Sequence, residues 1–256
     1  MTARLENKVA IVTGAAQGIG LAISRAFAAE GASVMLGDVN EATINAAAAE
    51  ITARGAKAKA IRCDVRDANS VKQIVAGAVD KFGGLDIVVN SAGITRDMAM
   101  FKMTEDDWDS VVDIALKGSF MLTQAATGWM VPQAKKEREA GGESAPRKII
   151  NITSGAVRGN VGQANYSAAK AGIIGLTRAN AREFGKYNIL VNAICPVALS
   201  PMTAHLKEPL EKATMLGRVG DVDKDIAPVF VFLASAEANY ITGQIIGVNG
   251  GLDTQY

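Results

Sequence analysis

The chain has 256 residues, 49% of them hydrophobic, and its 27 Lys and Arg stand against 26 Asp and Glu for a net charge of +1. That length suits one α/β domain and leaves little room for a second, and the balanced charge implies neither nucleic acid nor an anionic membrane as partner. No apolar run nears the roughly 20 residues of a bilayer span, and with only Cys63, Cys195 and His205 available there is no zinc-type ligand cluster, so no metal is expected.

In chain order, residues 1–8 are polar and lack the apolar core of a signal peptide, so a cytosolic location is expected. An apolar run at residues 9–12 then leads into Thr13-Gly14-Ala15-Ala16-Gln17-Gly18-Ile19-Gly20, and a helical pattern follows at 21–27. A glycine-rich turn between a strand and a helix lets backbone N–H groups approach a pyrophosphate and aims a helix N-terminus at its charge. The next apolar run, at 33–36, ends at Gly37-Asp38-Val39, where a carboxylate can accept both hydroxyls of an adenosine ribose.

Further apolar runs lie at 58–61, 85–89, 148–152, 189–194 and 245–248. Helical patterns alternate with them at 41–54, 70–82, 104–130, 166–184 and 224–234. Continuous apolar strands alternating with helices predict a doubly wound parallel sheet of about seven strands, covered on both faces. Gly31, Gly55 and Gly83-Gly84 stand where helices should stop, and Pro196 closes the sixth strand. The polar stretch 133–147, with Lys135-Lys136-Glu137-Arg138-Glu139, reads as a solvated helix tail and surface loop. A Ser-His-Asp triad would have to draw on His205 in a polar segment, which argues against one.

Four motifs together resemble the short-chain dehydrogenase/reductase family, most closely its 3-oxoacyl reductase-like branch. They are the glycine turn, Asn90-Ser91-Ala92-Gly93, the helix Tyr166-Ser167-Ala168-Ala169-Lys170, and Asn249-Gly250-Gly251. The resemblance covers nearly the whole chain and implies a single Rossmann-type domain that transfers a hydride between nicotinamide and a secondary alcohol or ketone. A 3-hydroxyacyl or 3-oxoacyl thioester is one substrate in range. It also implies a homotetramer. Relatives that prefer NADP carry a basic residue in the glycine turn or after the second strand. Here Ala16, Gln17, Val39 and Asn40 stand there, so NAD(H) is expected over NADP(H). A cap on the following helix is the alternative reading of Asp38.

By the same resemblance Asp64 and Val65 flank the adenine, and Asn90, Ala92 and Gly93 line the adenosine and nicotinamide side. The cofactor-binding set is then Gly14, Gln17, Gly18, Ile19, Gly20, Asp38, Val39, Asp64, Val65, Asn90, Ala92, Gly93, Tyr166, Lys170, Pro196, Val197, Ser200 and Met202. Tyr166 and Lys170 share a helix face at i and i+4. An ammonium there, with the positive nicotinamide ring, is expected to lower a phenol from its usual value near 10, which makes Tyr166 the acid/base. The substrate oxygen needs a hydroxyl at the end of the fifth strand, and both Thr153 and Ser154 fit the spacing, with Ser154 favoured by residue type.

Two departures from the family stand out. Ala115 occupies the place of an asparagine that props a proton-relay helix, and Val197 replaces a glycine after Pro196. Ser200 becomes the candidate partner of the nicotinamide carboxamide. The segment around 200–216 is expected to be a substrate lid, whose Met202, Leu206, Leu210 and Met215 read either as plain packing, the commoner role of such a set, or as the lining of an apolar pocket. A regulator that kept the fold without its chemistry is the alternative function, but such proteins lack the Tyr and Lys. A methyltransferase of similar fold would need no such helix.

Overall fold

In the computed structural model, which describes residues 3–252, seven strands form one parallel sheet in the order β3-β2-β1-β4-β5-β6-β7. They are β1 (Val9–Thr13), β2 (Ser33–Asp38), β3 (Ala58–Arg62), β4 (Ile87–Asn90), β5 (Arg147–Ile152), β6 (Ile189–Pro196) and β7 (Ile245–Val248). The helices are α1 (Gly18–Ala29), α2 (Glu41–Ala53), α3 (Ala68–Phe82), α4 (Glu105–Val112), α5 (Gly118–Glu139), α6 (Ala164–Phe184), α7 (Lys207–Ala213) and α8 (Ala227–Ala234). The doubly wound sheet predicted from the alternating pattern is the fold observed.

The continuous apolar runs follow from burial on both faces. In β1, Ala10 and Val12 point to a core with Phe27, Ile44, Phe230 and Leu233 from α1, α2 and α8. Their neighbours Val9 and Ile11 point to the opposite core, with Ile74, Leu122 and Met130 from α3 and α5. Side chains alternate across a strand, so a strand sandwiched by helices has no face left for polar residues.

Three segments differ from the sequence reading. The helix expected over 104–130 is two helices, α4 and α5, joined by a wide π-type turn at Asp113–Lys117. Its second part runs through Pro132 to Glu139, so much of the polar stretch is helix. The loop that follows is strapped down. Glu137 accepts hydrogen bonds from Ala145 N (2.9 Å) and from Arg147 (2.6 and 3.2 Å), and Arg147 is buried in β5. The run at 85–89 pairs only from Ile87, and the strand extends to Asn90.

All strand C-termini lie at one edge. The order reverses on either side of β1, which pairs with β2 on one side and β4 on the other. A parallel sheet opens a crevice at such a switch point, and the glycine turn, Asp38 and Asn90 all end strands there. Among the described residues no helix is long and apolar enough to cross a membrane, and no group of His, Cys, Asp and Glu could hold a metal ion.

Candidate active site

The turn after β1 uses glycine where the backbone demands it. Gly14 and Gly18 have φ of +65° and +55°, a region costly for residues with a Cβ. A Cβ on Gly14 would come within 2.9 Å of the Ala92 backbone, and one on Gly20 would collide with the Gly14 carbonyl. This close approach brings β1, the β4 loop and α1 together. Gln17 makes no side-chain cap on α1, so the helix N-terminus faces the crevice with amide donors to offer.

The crevice is a cleft of about 560 Å³. Gly14, Gln17, Gly18, Ile19, Gly20, Asp38, Val39, Asp64, Val65, Ala92, Gly93, Tyr166, Lys170, Ser200 and Met202 all line it. Asp38 does not cap α2. That role belongs to Asn40, whose side chain accepts from Thr43 N at 3.2 Å. The Asp38 carboxylate instead accepts from Asn40 N (3.1 Å) and Ala16 N (3.3 Å), which ties it to the glycine turn. Asp64 is forked by Arg66 at 2.7 and 3.0 Å, and that guanidinium holds its carboxyl below the usual carboxylate range.

Three members of the expected set lie elsewhere. Asn90 is buried beneath the cleft, where Nδ2 donates to Asn151 Oδ1 (2.8 Å) and Thr123 Oγ1 (3.2 Å), binding β4 to β5 and α5. Pro196 and Val197 also stay off the cleft wall. Val197 N donates to Val248 O at 2.9 Å, continuing the pairing with β7, and its φ is not positive. Of the four apolar lid residues only Met202 reaches the cleft, while Leu206 and Met215 are exposed.

The geometry separates Thr153 from Ser154. Thr153 is buried, and its hydroxyl donates to the Lys170 carbonyl at 2.9 Å. The Ser154 hydroxyl instead accepts from Ala156 N at 3.2 Å, and it lies near enough to the Tyr166 hydroxyl to draw that phenol downward. The lysine lies 5.6 Å from the Tyr166 ring centre, with Nζ donating to Ile152 O at 2.7 Å. Ser154, Tyr166 and Lys170 thus converge at the end of β5, whereas Thr153 secures α6 to that strand.

Burial in the protein works against the depression of the Tyr166 phenol expected from the ammonium and the nicotinamide ring together. Burial pushes Tyr166 up to about 12, outweighing the downward pull of the nearby Ser154 hydroxyl, and burial brings the Lys170 ammonium down to about 8. Desolvation penalises whichever form is charged, and it is the largest cause for both groups. Phenol and a mainly charged lysine are therefore the resting forms near neutral pH.

Ala115 sits buried in the π-type turn against Val111, Ala169 and Tyr166. Its carbonyl accepts from Ser119 Oγ at 2.7 Å, so the backbone group survives the loss of the asparagine side chain. The Ser200 turn is braced by Thr203, which the sequence reading passed over: Oγ1 donates to Ala198 O at 2.6 Å and accepts from Ser200 N at 2.9 Å. Ile94, Arg96, Ser110 and Ile114 also line the cleft, on the side facing Tyr166. The i, i+4 spacing of Ser110 and Ile114 was a usable sign of a shared face.

A family model described as enoyl-(acyl carrier protein) reductase matches residues 14–253. A 3-oxoacyl-[acyl-carrier-protein] reductase FabG of Thermotoga maritima is 40% identical over 255 residues, covering 97% of this chain and 99% of that protein. FabG of Staphylococcus aureus is 44% identical over 254 residues, covering 96% and 98%. The (2S)-[(R)-hydroxy(phenyl)methyl]succinyl-CoA dehydrogenase subunit BbsD of Thauera aromatica is 37% identical over 252 residues, covering 96% and 97%. Among solved structures, a short-chain dehydrogenase/reductase (glucose/ribitol dehydrogenase) from Brucella melitensis superposes with a TM-score of 0.89 at 32% identity, covering all of both chains.

Proposed function

Since the chain belongs to the short-chain dehydrogenase/reductase family, we propose that it moves a hydride between NAD(H) and a 3-oxoacyl or 3-hydroxyacyl thioester, with Ser154, Tyr166 and Lys170 as its catalytic residues. The coarser activity, oxidoreduction at a CH–OH or keto group with a nicotinamide cofactor, comes with the family. The placing of Tyr166 and Lys170 on the wall of the glycine-turn cleft, with the Ser154 hydroxyl beside the phenol, is the observation that carries the finer reading.

A nicotinamide held in the glycine-turn cleft would supply or accept the hydride. Ser154 Oγ orients the substrate oxygen by hydrogen bonding. Tyr166 Oη, protonated at neutral pH, gives its proton to that oxygen in the reductive direction and takes it back in the oxidative one. Lys170 Nζ is held by the Ile152 carbonyl beside the ring, where its charge stabilises phenolate once the proton has left. Ser200 is assigned to the carboxamide, the lid around 200–216 to substrate closure, and residues 14–20 with Asp64, Val65, Ala92 and Gly93 to the dinucleotide.

Asp38 supports NAD(H). Its carboxylate stands at the cleft wall tied to the glycine turn, and a ribose 2′-phosphate brought there would meet like charge. Assembly into a homotetramer is part of the same reading. An apolar groove between α3 and α5, lined by Val71, Val75, Met121 and Trp129, supports contact with further copies, and light scattering tests it.

The deciding experiment follows absorbance at the nicotinamide band, with NAD⁺ and NADP⁺ offered against secondary alcohols and 3-hydroxyacyl thioesters and Tyr166→Phe run in parallel. Turnover with NAD⁺ that collapses in the variant is the expected result. Cofactor binding without turnover of any substrate would favour a non-catalytic dinucleotide-binding protein.

A further inference from the structure

Asn165 stands immediately before Tyr166 in α6 and is fully buried. Its side-chain amide is engaged on both ends. Nδ2 donates to the carbonyl oxygens of Arg96 (3.0 Å) and Asp107 (2.8 Å), and Oδ1 accepts from Tyr166 N (2.7 Å). A primary amide has two donor hydrogens and one acceptor oxygen, and here they reach three separate segments: the loop after β4, the helix α4 and the first turn of α6.

These segments carry the wall opposite Tyr166. The loop brings Ile94 and Arg96 to the cleft, and α4 with the turn after it brings Ser110 and Ile114. Val111 and Ala115 pack with the Tyr166 ring. Two other bonds stitch the same loop to the start of α6, Gln163 Nε2 to Asp97 Oδ2 (2.8 Å) and Met98 N to Gly162 O (2.8 Å). Gln163 and Met98 are not buried, so water competes for those bonds. The Asn165 amide is itself fully buried, so its bonds are better shielded from water than these two.

We propose that Asn165 is a positioning residue, whose amide holds the substrate-side wall of the cleft in register with the Tyr166 hydroxyl. This rests on the reading of Tyr166 as the proton-transfer group. A displacement of about 1 Å between reacting groups can cost on the order of 10²-fold in rate, so the register is worth a shielded three-way clamp. No apolar residue of similar size could make it, and an aspartate would turn an oxygen toward two carbonyl oxygens.

The test compares Asn165→Asp and Asn165→Ala with the unmodified chain, measuring kcat and KM in the reductive direction, the dissociation constant of the reduced cofactor, and the ratio of variant to unmodified kcat/KM across pH. Asn165→Asp keeps an oxygen for Tyr166 N and loses both donors, so kcat/KM should fall by about ten- to a hundredfold with a raised KM. Cofactor affinity should be kept. Burial among carbonyls raises the new carboxyl's pKa, and its protonated form regains one donor. The ratio should therefore recover as pH falls. Asn165→Ala has nothing to titrate, so its KM rises equally at all pH values and its ratio stays flat.

A lowered melting temperature with unmodified KM and pH profile would overturn the proposal, as would cofactor affinity lost in step with activity. If Asn165→Asp does not fold, KM and cofactor affinity of Asn165→Ala decide alone. If the unmodified chain turns over no carbonyl substrate, the functional reading fails by itself. Hydrogen exchange still tests the clamp then: faster exchange at residues 94–98 and 105–110 in Asn165→Ala supports it, and unchanged exchange overturns it.

Discussion

Lys170 and Lys148 serve opposite ends of β5, and burial brings both ammonium groups down to about 8. At the C-terminal end, Lys170 Nζ donates to Ile152 O at 2.7 Å and lies beside the Tyr166 ring. At the N-terminal end, Lys148 is 3% exposed and its Nζ has no hydrogen-bond partner among the described residues. The charge that adds to its shift is another cation, Lys8. A shifted titration therefore does not mark a site by itself. What marks one is a second group placed to exchange a proton or hold a substrate, and only the C-terminal edge supplies it. That edge also gathers the glycine turn, Asp38 and the α1 N-terminus, because strand ends of a parallel sheet leave amides and side chains free there.

Removing the phenol breaks the contrast most severely. Tyr166→Phe keeps the ring packing and removes the proton, so kcat should fall by about 10²–10⁴-fold while cofactor affinity stays near that of the unmodified chain. Steady-state rates and a fluorescence titration with reduced cofactor check this together. Next comes the paired replacement of the two lysines. Lys170→Met should lower kcat by about 10²-fold, whereas Lys148→Met should leave it unchanged. Equal losses in both would mean that the activity depends on buried charge in general and not on place.

Asp38 sharpens the same edge in a different way. Asp38→Asn retains an oxygen for the backbone donors of Ala16 and Asn40 but drops the charge. The NAD-over-NADP ratio of kcat/KM should shrink by about tenfold, worth roughly 1.4 kcal/mol. An unchanged ratio would show that dinucleotide choice lies elsewhere.

How much of this was readable from residues follows from what each demanded. The glycine turn was legible because positive φ at Gly14 and Gly18 favours glycine and because the approach of Gly14 to Ala92 leaves no room for a Cβ. The Tyr166–Lys170 pair was legible because helix spacing is fixed. The choice between Thr153 and Ser154 was not, since a one-residue difference in the following loop moves the count, and only the coordinates show that Thr153 spends its hydroxyl on α6. Asn90 was placed on the cofactor wall when its amide in fact closes the sheet beneath. Asn165 gave no signal, because three partners distant in sequence meet it only in space. The upward push of burial on Tyr166 was not legible, because charge attraction can be guessed from spacing, while desolvation depends on the fold.

Lys148 gives the smallest effect and the cleanest sign. Its pKa in the folded chain, about 8, lies below the 10.5 of an exposed lysine. Between these values the unfolded chain binds more protons than the folded one, so stability rises with pH. The contribution is fully unfavourable below about pH 8, where the fold must bury a charge, and it fades as pH climbs toward 10.5. Lys148→Met removes the charge and keeps the length of the side chain. At neutral pH it should raise Tm by roughly 2–4 °C, the shift that about 1 kcal/mol gives a chain of this size. The gain should shrink steadily when melting is followed at rising pH. A gain independent of pH would mean the benefit is packing and not charge, and a loss would mean that Lys148 has a partner, in the chain or in an assembly, that its geometry here does not display.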